Sequence, residues 1–153
     1  IGGSLGAKAI NEAIGADLHK IEQANIQLVW QTGKLYFPTA KTQTERLKND
    51  HISALEFISR MDLAYAMADV VISRAGAGAI SELCLVQKPC ILVPLPSAAE
   101  DHQTKNALAL VNKKAAILVK DTEAAQILVD TAIKLINNEE EQKQLITNMK
   151  LMA

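Results

Sequence analysis

Apolar residues follow two different spacings along this chain. In residues 7–23 they recur every three or four positions, and this spacing predicts an amphipathic helix. The recurring positions are Ile10, Ile14, Leu18 and Ile21. Elsewhere they form short runs, of which the β-branched run at residues 70–72 is the clearest. Such a run is typical of a strand that is covered on both faces.

The two spacings alternate from one end of the chain to the other. Predicted strands cover residues 26–31, 52–57, 70–73, 90–93 and 116–119. Predicted helices cover residues 7–23, 61–68, 79–86, 102–112, 122–136 and 139–149, and residues 34–49 are predicted to be partly helical. Asp101 is predicted to cap the helix that follows it. Alternating strands and helices predict right-handed βαβ units. We therefore predict one α/β domain over residues 1–153, a Rossmann-like fold with a doubly wound parallel sheet and helices on both faces.

The composition narrows the function classes. The chain has 153 residues, of which 49% are apolar and 22% charged, as expected of a globular domain with a real core. A net charge of −1 and an aromatic content of 3% argue against a nucleic-acid-binding surface. We find no apolar run of the roughly 20 residues that a membrane span requires, and no secretory leader. The opening residue, Ile1, lies directly before a glycine-rich turn, so we expect a piece of a longer protein.

Cysteine and histidine spacing gives no sign of a metal site. Cys84 and Cys90 both lie in apolar sequence, where reduced, buried thiols are expected. The three histidines and two cysteines show neither Cys-x-x-Cys nor His-x-x-x-His spacing. We therefore predict no metal and no cofactor.

Ligands of doubly wound sheets bind beyond the carboxyl ends of the strands, and three unusual loops fall there. The first spans residues 2–7, and its glycines would let the backbone approach a phosphate at the start of the next helix. Ser4 would add a hydroxyl donor. A plain strand-to-helix turn is an equal alternative, and the loop lacks the Gly-x-Gly-x-x-Gly dinucleotide pattern.

The second loop, residues 73–82, again places small residues before a helix. Its backbone amides would suit an anion. Glu82 follows about one turn later, where its carboxylate would either bind a ribose diol or interact with the helix dipole. Arg74 would either face a phosphate or pair with a carboxylate, and the sequence does not decide between them.

The third loop, residues 94–106, leaves a predicted buried strand through Pro94 and Pro96. Gln103 and Asn106 are three residues apart and should share one helical face. Their amides offer donors and acceptors suited to sugar hydroxyls, although polar residues are ordinary at a helix start. His102 is either an acid or base or a solvated neighbour of the cap.

Several common catalytic motifs do not occur. We find no Asp-x-Asp metal motif, no Gly-x-x-x-x-Gly-Lys-Ser/Thr loop and no Gly-x-Ser-x-Gly elbow. No Ser/His/Asp set or pair of carboxylates stands out as a catalytic centre. The sequence therefore favours binding of a diphosphate and a sugar over catalysis by this chain alone.

Taken together, the three loops resemble the MurG transferases, the undecaprenyldiphospho-muramoylpentapeptide β-N-acetylglucosaminyltransferases. The matching stretches are residues 2–7, 56–61, 73–77, 81–82, 94–96 and 101–107, together with Tyr65, Ala68 and Asp69. The resemblance runs from Ile1 to about Leu118. It implies a GT-B architecture of two Rossmann-like domains, of which this chain is similar to the C-terminal, donor-binding one. The N-terminal acceptor domain would lie outside this chain.

The resemblance also implies roles for individual residues. Gly3, Ser4, Leu5 and Gly6 would contact the diphosphate, together with the backbone of Gly76 and Ala77, and Arg74 is a further candidate. Ile58 would meet uracil through its main chain with Met61 nearby, Glu82 would hold the ribose hydroxyls, and Gln103 and Asn106 would read the sugar. Some family members carry glutamine where this chain has His102, which puts any role for that histidine in doubt.

The implied reaction is an inverting transfer of N-acetylglucosamine from its UDP donor to lipid I, giving lipid II and UDP in peptidoglycan synthesis. The base and the acceptor site would lie in the other domain, so we expect this chain alone to be inactive. The parent would be a peripheral protein of the cytoplasmic face of the bacterial inner membrane, with this piece staying in solution. Two alternatives remain: another GT-B enzyme such as a UDP-N-acetylglucosamine 2-epimerase, and a non-catalytic nucleotide-binding module.

Overall fold

The computed structural model describes residues 1, 7–47, 50–96 and 100–152. The strands are β1 (Leu28–Gln31), β2 (Ile52–Leu55), β3 (Val71–Ser73), β4 (Cys90–Leu92) and β5 (Ile117–Leu118). The helices are α1 (Lys8–Ala16), α2 (Leu18–Gln23), α3 (Phe37–Glu45), α4 (Met61–Met67), α5 (Ala77–Val86), α6 (His102–Val111), α7 (Ala124–Ile136) and α8 (Glu139–Lys150). A short 3-10 turn, Asp121–Glu123, precedes α7. The predicted alternation of strands and helices is confirmed.

All strand pairs among the described residues are parallel, but they form two sheets rather than one. β1 pairs with β2, and β3, β4 and β5 form a three-stranded sheet in that order. A cavity of about 550 Å³ lies between β1 and β3 and is lined in part by residues 28–30 and 70–72. Ile1 lies beside β3, where its carbonyl accepts a hydrogen bond of 3.2 Å from the Arg74 N–H. The predicted α/β class with parallel strands is confirmed, and the strands of the described residues fall into two parallel sheets.

Several boundaries also differ from the prediction. The helix predicted over residues 7–23 is interrupted at Asp17, whose backbone leaves the helical region at φ −115° and ψ 20°. Gly15 and Asp17 are both weak helix formers, which favours a break at this point. β2 ends at Leu55, and α5 begins at Ala77 rather than at residue 79.

The core consists of two clusters of buried side chains. The larger one joins α1 and α7 to β1, with Ile10, Leu128 and Leu135 almost fully buried. The second cluster packs α4, α5 and α6 against β3 and β4, with Leu83 and Leu92 at its centre. The second cluster therefore lies directly beneath the loops that leave β3 and β4.

Both cysteines are free thiols, as predicted, but the prediction that both are buried is wrong for Cys84, which is half-buried. Cys90 is fully buried in β4, and this burial raises the pKa of its thiol to about 12. Within the described part of the chain, no helix is both long and apolar enough to cross a membrane.

Asn11 forms a buried hydrogen-bonded link between α1 and the strand β1. Its Oδ1 accepts a bond of 3.0 Å from Trp30 Nε1, and its Nδ2 donates one of 2.9 Å to the carbonyl of Thr32. All three residues are at most 3% exposed. Buried polar groups of this kind are stabilising only while each one keeps its partner.

Replacing Asn11 with alanine should therefore lower the free energy of unfolding by about 2 kcal/mol, because the Trp30 N–H and the Thr32 carbonyl lose their partners. Urea unfolding monitored by the fluorescence of Trp30, the sole tryptophan, measures the change. The matched control is Asn112→Ala at an exposed position, which should change stability by less than about 0.5 kcal/mol. Equal effects of the two substitutions would contradict the prediction.

Candidate functional site

Gln103 and Asn106 connect the loops that follow β3 and β4. Gln103 Oε1 accepts hydrogen bonds from the Ala75 N–H at 3.2 Å and the Leu95 N–H at 2.9 Å. Asn106 Nδ2 donates a bond of 3.0 Å to the carbonyl of Ala75. The two amides therefore lie on one face of α6, as predicted, and hold both loops at the carboxyl ends of their strands.

These bonds fix the polarity of the groups that remain available. Gln103 uses its oxygen for two bonds, which leaves the two Nε2 N–H donors, whereas Asn106 uses one N–H of Nδ2, which leaves the other N–H and the Oδ1 acceptor. Gln103 Nε2 lies 3.8 Å from the position that a Cβ atom would take at Gly76. The pair thus presents the donors of Gln103 Nε2 together with the acceptor and remaining donor of Asn106 beside the start of α5.

The N-terminus of α5 is open to solvent. Gly76 is its N-cap residue and provides no side-chain cap, and Ala77 and Gly78 are exposed. The first backbone bond of the helix joins the Ile80 N–H to the Gly76 carbonyl at 3.0 Å. The preceding N–H groups of the first turn, with the positive end of the helix dipole, can therefore receive an anion.

Glu82 lies on the next turn of α5 with its side chain exposed. Because the first turn holds no acidic residue, the alternative of a first-turn dipole partner does not apply. The Tyr65 hydroxyl on α4 donates a hydrogen bond of 3.0 Å to Glu82 Oε2. Sequence reasoning missed this contact because the two residues are 17 positions apart, and the only signal was a tyrosine within the short apolar helix.

Ile58 and Met61 lie where β2 leads into α4. Ile58 is buried, and its N–H donates a bond of 2.8 Å to Gln31 Oε1. Its carbonyl makes no hydrogen bond among the described residues. Met61 is the first residue of α4, and both side chains line the cavity beside β1 and β3. A main-chain contact from a ligand to Ile58 is therefore available at the carbonyl, whereas the N–H is engaged by Gln31.

Arg74 turns into the protein rather than toward the open end of α5. Its guanidinium pairs with the carboxylate of Asp121 and donates a bond of 3.2 Å to the carbonyl of Val93. The residue is only 9% exposed. Of the two alternatives that the sequence left open, the structure shows the pairing with a carboxylate.

The remaining predicted residues are only partly placed. Gly3, Ser4, Leu5 and Gly6 lie outside the described residues, so their contact with a diphosphate stays a prediction. Asp101 stands at the N-cap of α6, but its side chain accepts a bond of 2.8 Å from the Thr104 hydroxyl and caps no backbone N–H. The predicted capping bond is therefore wrong, because the backbone of Asp101 is left-handed (φ 50°, ψ 49°) rather than extended as in a residue that caps with its side chain.

His102 is exposed, and its Nε2 lies 3.1 Å from a carboxylate oxygen of Glu100. The described residues contain no cluster of three or more metal-ligating side chains. Among them, two amides and a helix N-terminus lie together at the carboxyl ends of β3 and β4, and the Glu82 carboxylate lies on the next turn of α5.

These features define a Rossmann-like domain with a candidate polar site at the carboxyl ends of β3 and β4. The family model for the glycosyltransferase family 28 C-terminal domain matches residues 1–152. The chain belongs to this family, and the predicted resemblance is confirmed.

Relatives and a solved structure agree with this membership. The chain is 48% identical over 153 residues to the UDP-N-acetylglucosamine–N-acetylmuramyl-(pentapeptide) pyrophosphoryl-undecaprenol N-acetylglucosamine transferase of Parabacteroides distasonis, covering 100% of this chain and 42% of the relative. It is 51% identical over 156 residues to the transferase of the same name from Phocaeicola vulgatus, covering 100% and 41%. The crystal structure of Acinetobacter baumannii MurG matches with a TM-score of 0.84 and 29% identity, covering 100% of this chain and 44% of that one. The chain therefore spans about two fifths of the length of these proteins.

Proposed function

We propose that this chain is the donor-binding domain of an inverting transferase that moves N-acetylglucosamine from UDP-N-acetylglucosamine to lipid I. The observation that carries the proposal is the position of Gln103 and Asn106 beside the open N-terminus of α5, with Glu82 on the next turn of that helix. The names of the relatives supply the donor and the acceptor. In this proposal residues 1–153 form a single domain, and a second domain outside this chain binds the acceptor.

The start of α5 is the proposed diphosphate site. The backbone N–H groups near Gly76 and Ala77 would donate to the phosphate oxygens, as would the loop of Gly3, Ser4, Leu5 and Gly6. When the sugar is transferred, negative charge grows on the departing UDP, and fixed N–H dipoles stabilise that charge without reorganising. Binding and leaving-group stabilisation are then functions of the same backbone groups, and no metal is required for them.

The nucleoside and the sugar would lie on either side of the diphosphate. Glu82 would accept hydrogen bonds from the ribose diol, and the carbonyl of Ile58 would meet the uracil edge near Met61. Gln103 Nε2 would donate to one sugar hydroxyl while Asn106 Oδ1 accepts from another. The remaining groups support these roles, since Gln103 keeps its donors and Asn106 keeps an acceptor after the bonds to the loops are made.

The acceptor hydroxyl must be activated from the face of the sugar opposite the departing UDP, because the proposed transfer inverts configuration. We place the base for this step in the second domain, so this chain alone should bind the donor without transferring it. Because the proposed acceptor is a membrane lipid, the whole enzyme would work as a peripheral protein at the cytoplasmic face of the inner membrane.

Isothermal titration of the chain with UDP-N-acetylglucosamine, UDP-glucose, UDP and NAD, without added metal, tests the proposal. We expect UDP and UDP-N-acetylglucosamine to bind, UDP-glucose to bind more weakly and NAD not to bind. Equal binding of NAD would instead favour a general nucleotide-binding module. An epimerase would interconvert UDP-N-acetylglucosamine with its 2-epimer, which proton NMR of the ligand detects.

Replacing Glu82 with alanine should weaken binding of UDP and of UDP-N-acetylglucosamine by about 1–3 kcal/mol, the scale of a lost hydrogen bond to a charged group. The two ligands should lose similar amounts, because both contain the ribose. Glu140→Ala on α8, an exposed position, is the matched control and should leave both affinities unchanged. Unchanged affinity in Glu82→Ala would contradict the ribose assignment.

A further inference from the structure

The buried side chain of Tyr65 reaches the candidate site from the core. Tyr65 lies on α4, is 6% exposed and belongs to the core cluster that contains Leu83 and Leu92. Its hydroxyl is 3.0 Å from Glu82 Oε2, while the Glu82 side chain itself is exposed. The packed side chain of Tyr65 thus holds the carboxylate of the solvent-exposed Glu82 side chain.

We propose that Tyr65 is a positioning residue that holds the Glu82 carboxylate in the orientation needed to bind the ribose diol. This inference rests on the proposed function, in which Glu82 accepts the ribose hydroxyls. Tyr65 would act through Glu82 and would not touch the ligand.

The physical reason is the conformational freedom of glutamate. An exposed glutamate samples several rotamers, and binding a ligand must remove that freedom at a cost in entropy. The tyrosine hydroxyl has a fixed position because its ring is packed in the core. Among the described residues, no other group hydrogen-bonds the Glu82 carboxylate. The bond from Tyr65 therefore restricts the carboxylate before any ligand arrives.

The bond leaves the carboxylate able to bind a diol. A carboxylate accepts about four hydrogen bonds, so one bond from Tyr65 leaves acceptor capacity on both oxygens. Burial raises the pKa of the Tyr65 hydroxyl above its ordinary value, and the Glu82 carboxylate raises it further. The hydroxyl is consequently protonated at neutral pH and remains a donor.

A purely structural role would need only a partner for the buried hydroxyl, and its loss would affect every ligand alike. Positioning of Glu82 instead predicts an effect that depends on the ribose hydroxyls. The two roles are therefore separated by a ligand that lacks those hydroxyls.

The experiment titrates the unchanged chain, Tyr65→Phe, Glu82→Ala and the double variant with UDP and with 2′,3′-dideoxyuridine 5′-diphosphate. Tyr65→Phe keeps the packed ring and should weaken UDP binding roughly 3- to 10-fold, the scale of one lost rotamer restraint. It should leave the affinity for the dideoxy ligand unchanged. The double variant should bind UDP with the same affinity as Glu82→Ala. Tyr36→Phe removes the chain's other tyrosine hydroxyl, away from these residues, and is the matched control, with no change in either affinity.

Equal losses for both ligands, or a loss that persists without Glu82, would show that Tyr65 acts through packing and would overturn the inference. Unchanged UDP affinity in Tyr65→Phe would overturn it as well. Thermal unfolding of each variant confirms that it is folded. If the unchanged chain does not bind UDP, or if Glu82→Ala binds it normally, the ribose assignment fails and the inference falls with it. If Glu82→Ala weakens UDP binding as expected and Tyr65→Phe does not, the inference about Tyr65 is rejected while the ribose assignment of Glu82 stands.

Discussion

Replacing Asp121 with alanine is expected to lower the free energy of unfolding by about 2–3 kcal/mol, because it leaves the Arg74 guanidinium without its charged partner inside the protein. The two side chains are only 11% and 24% exposed, and the remaining bond from Arg74 reaches the carbonyl of Val93. Breaking a fully buried ion pair costs more than this, and the partial exposure of Asp121 reduces the expected loss. Urea unfolding of the variant and the unchanged chain measures the difference.

A second substitution separates the buried charge from the pair itself. In the double variant Arg74→Met with Asp121→Ala, an apolar side chain of similar length replaces the guanidinium, and much of the lost stability should return. The matched control is Asp130→Ala, which breaks an exposed pair with Lys20 and should cost less than about 1 kcal/mol. A cost for Asp121→Ala as small as that of the control would show that the pair is not held as the structure shows it.

Replacing Gln103 with glutamate is expected to weaken binding of UDP-N-acetylglucosamine roughly 10- to 100-fold, with a smaller loss for UDP. A glutamate carboxylate can still accept from the Ala75 and Leu95 N–H groups, so the loops stay connected. The variant lacks the Nε2 donors, which are the groups that the proposed sugar contact uses. Titration with both ligands measures the difference between them.

Gln103→Ala gives the contrasting result, because it removes both the donor and the acceptor. It should lower stability by about 1 kcal/mol in addition to weakening sugar binding, since the N–H groups of Ala75 and Leu95 lose their partner. Thermal unfolding of the two variants compares the effects. If glutamate at this position binds UDP-N-acetylglucosamine as well as glutamine does, the assigned polarity of the amide is wrong.

The fold class and the placement of the candidate site follow from local patterns in the sequence. Alternating strand and helix spacing predicted the βαβ units, and the rule for parallel sheets predicted which loops would meet. The spacing of Gln103 and Asn106 placed both on one face of α6, and the structure confirms this arrangement. Local spacing was sufficient for this pair because the two residues are within one turn of each other, and the rule for parallel sheets was sufficient for the loops because each one follows a strand.

Partners that are distant in sequence could not be predicted in this way. Arg74 pairs with a carboxylate 47 positions away, and Tyr65 reaches Glu82 across 17 positions. Both contacts depend on how helices and loops pack against each other, and the spacing of residues along the sequence does not indicate that. The division into two sheets also depends on which strand edges meet in space, and the alternation of elements gives no information about that.

The double use of Gln103 and Asn106 limits how readily the donor preference of this domain can change. Under the proposed assignment, the atoms of each amide that face the sugar share a side chain with atoms that pin the loop before α5. A mutation that adapts either position to a different sugar would also disturb the loop before α5, which forms part of the proposed diphosphate site. A change of sugar selectivity would therefore need further mutations that restore the contacts of this loop. Switching the donor sugar of this domain, by engineering or by evolution, should require several mutations together.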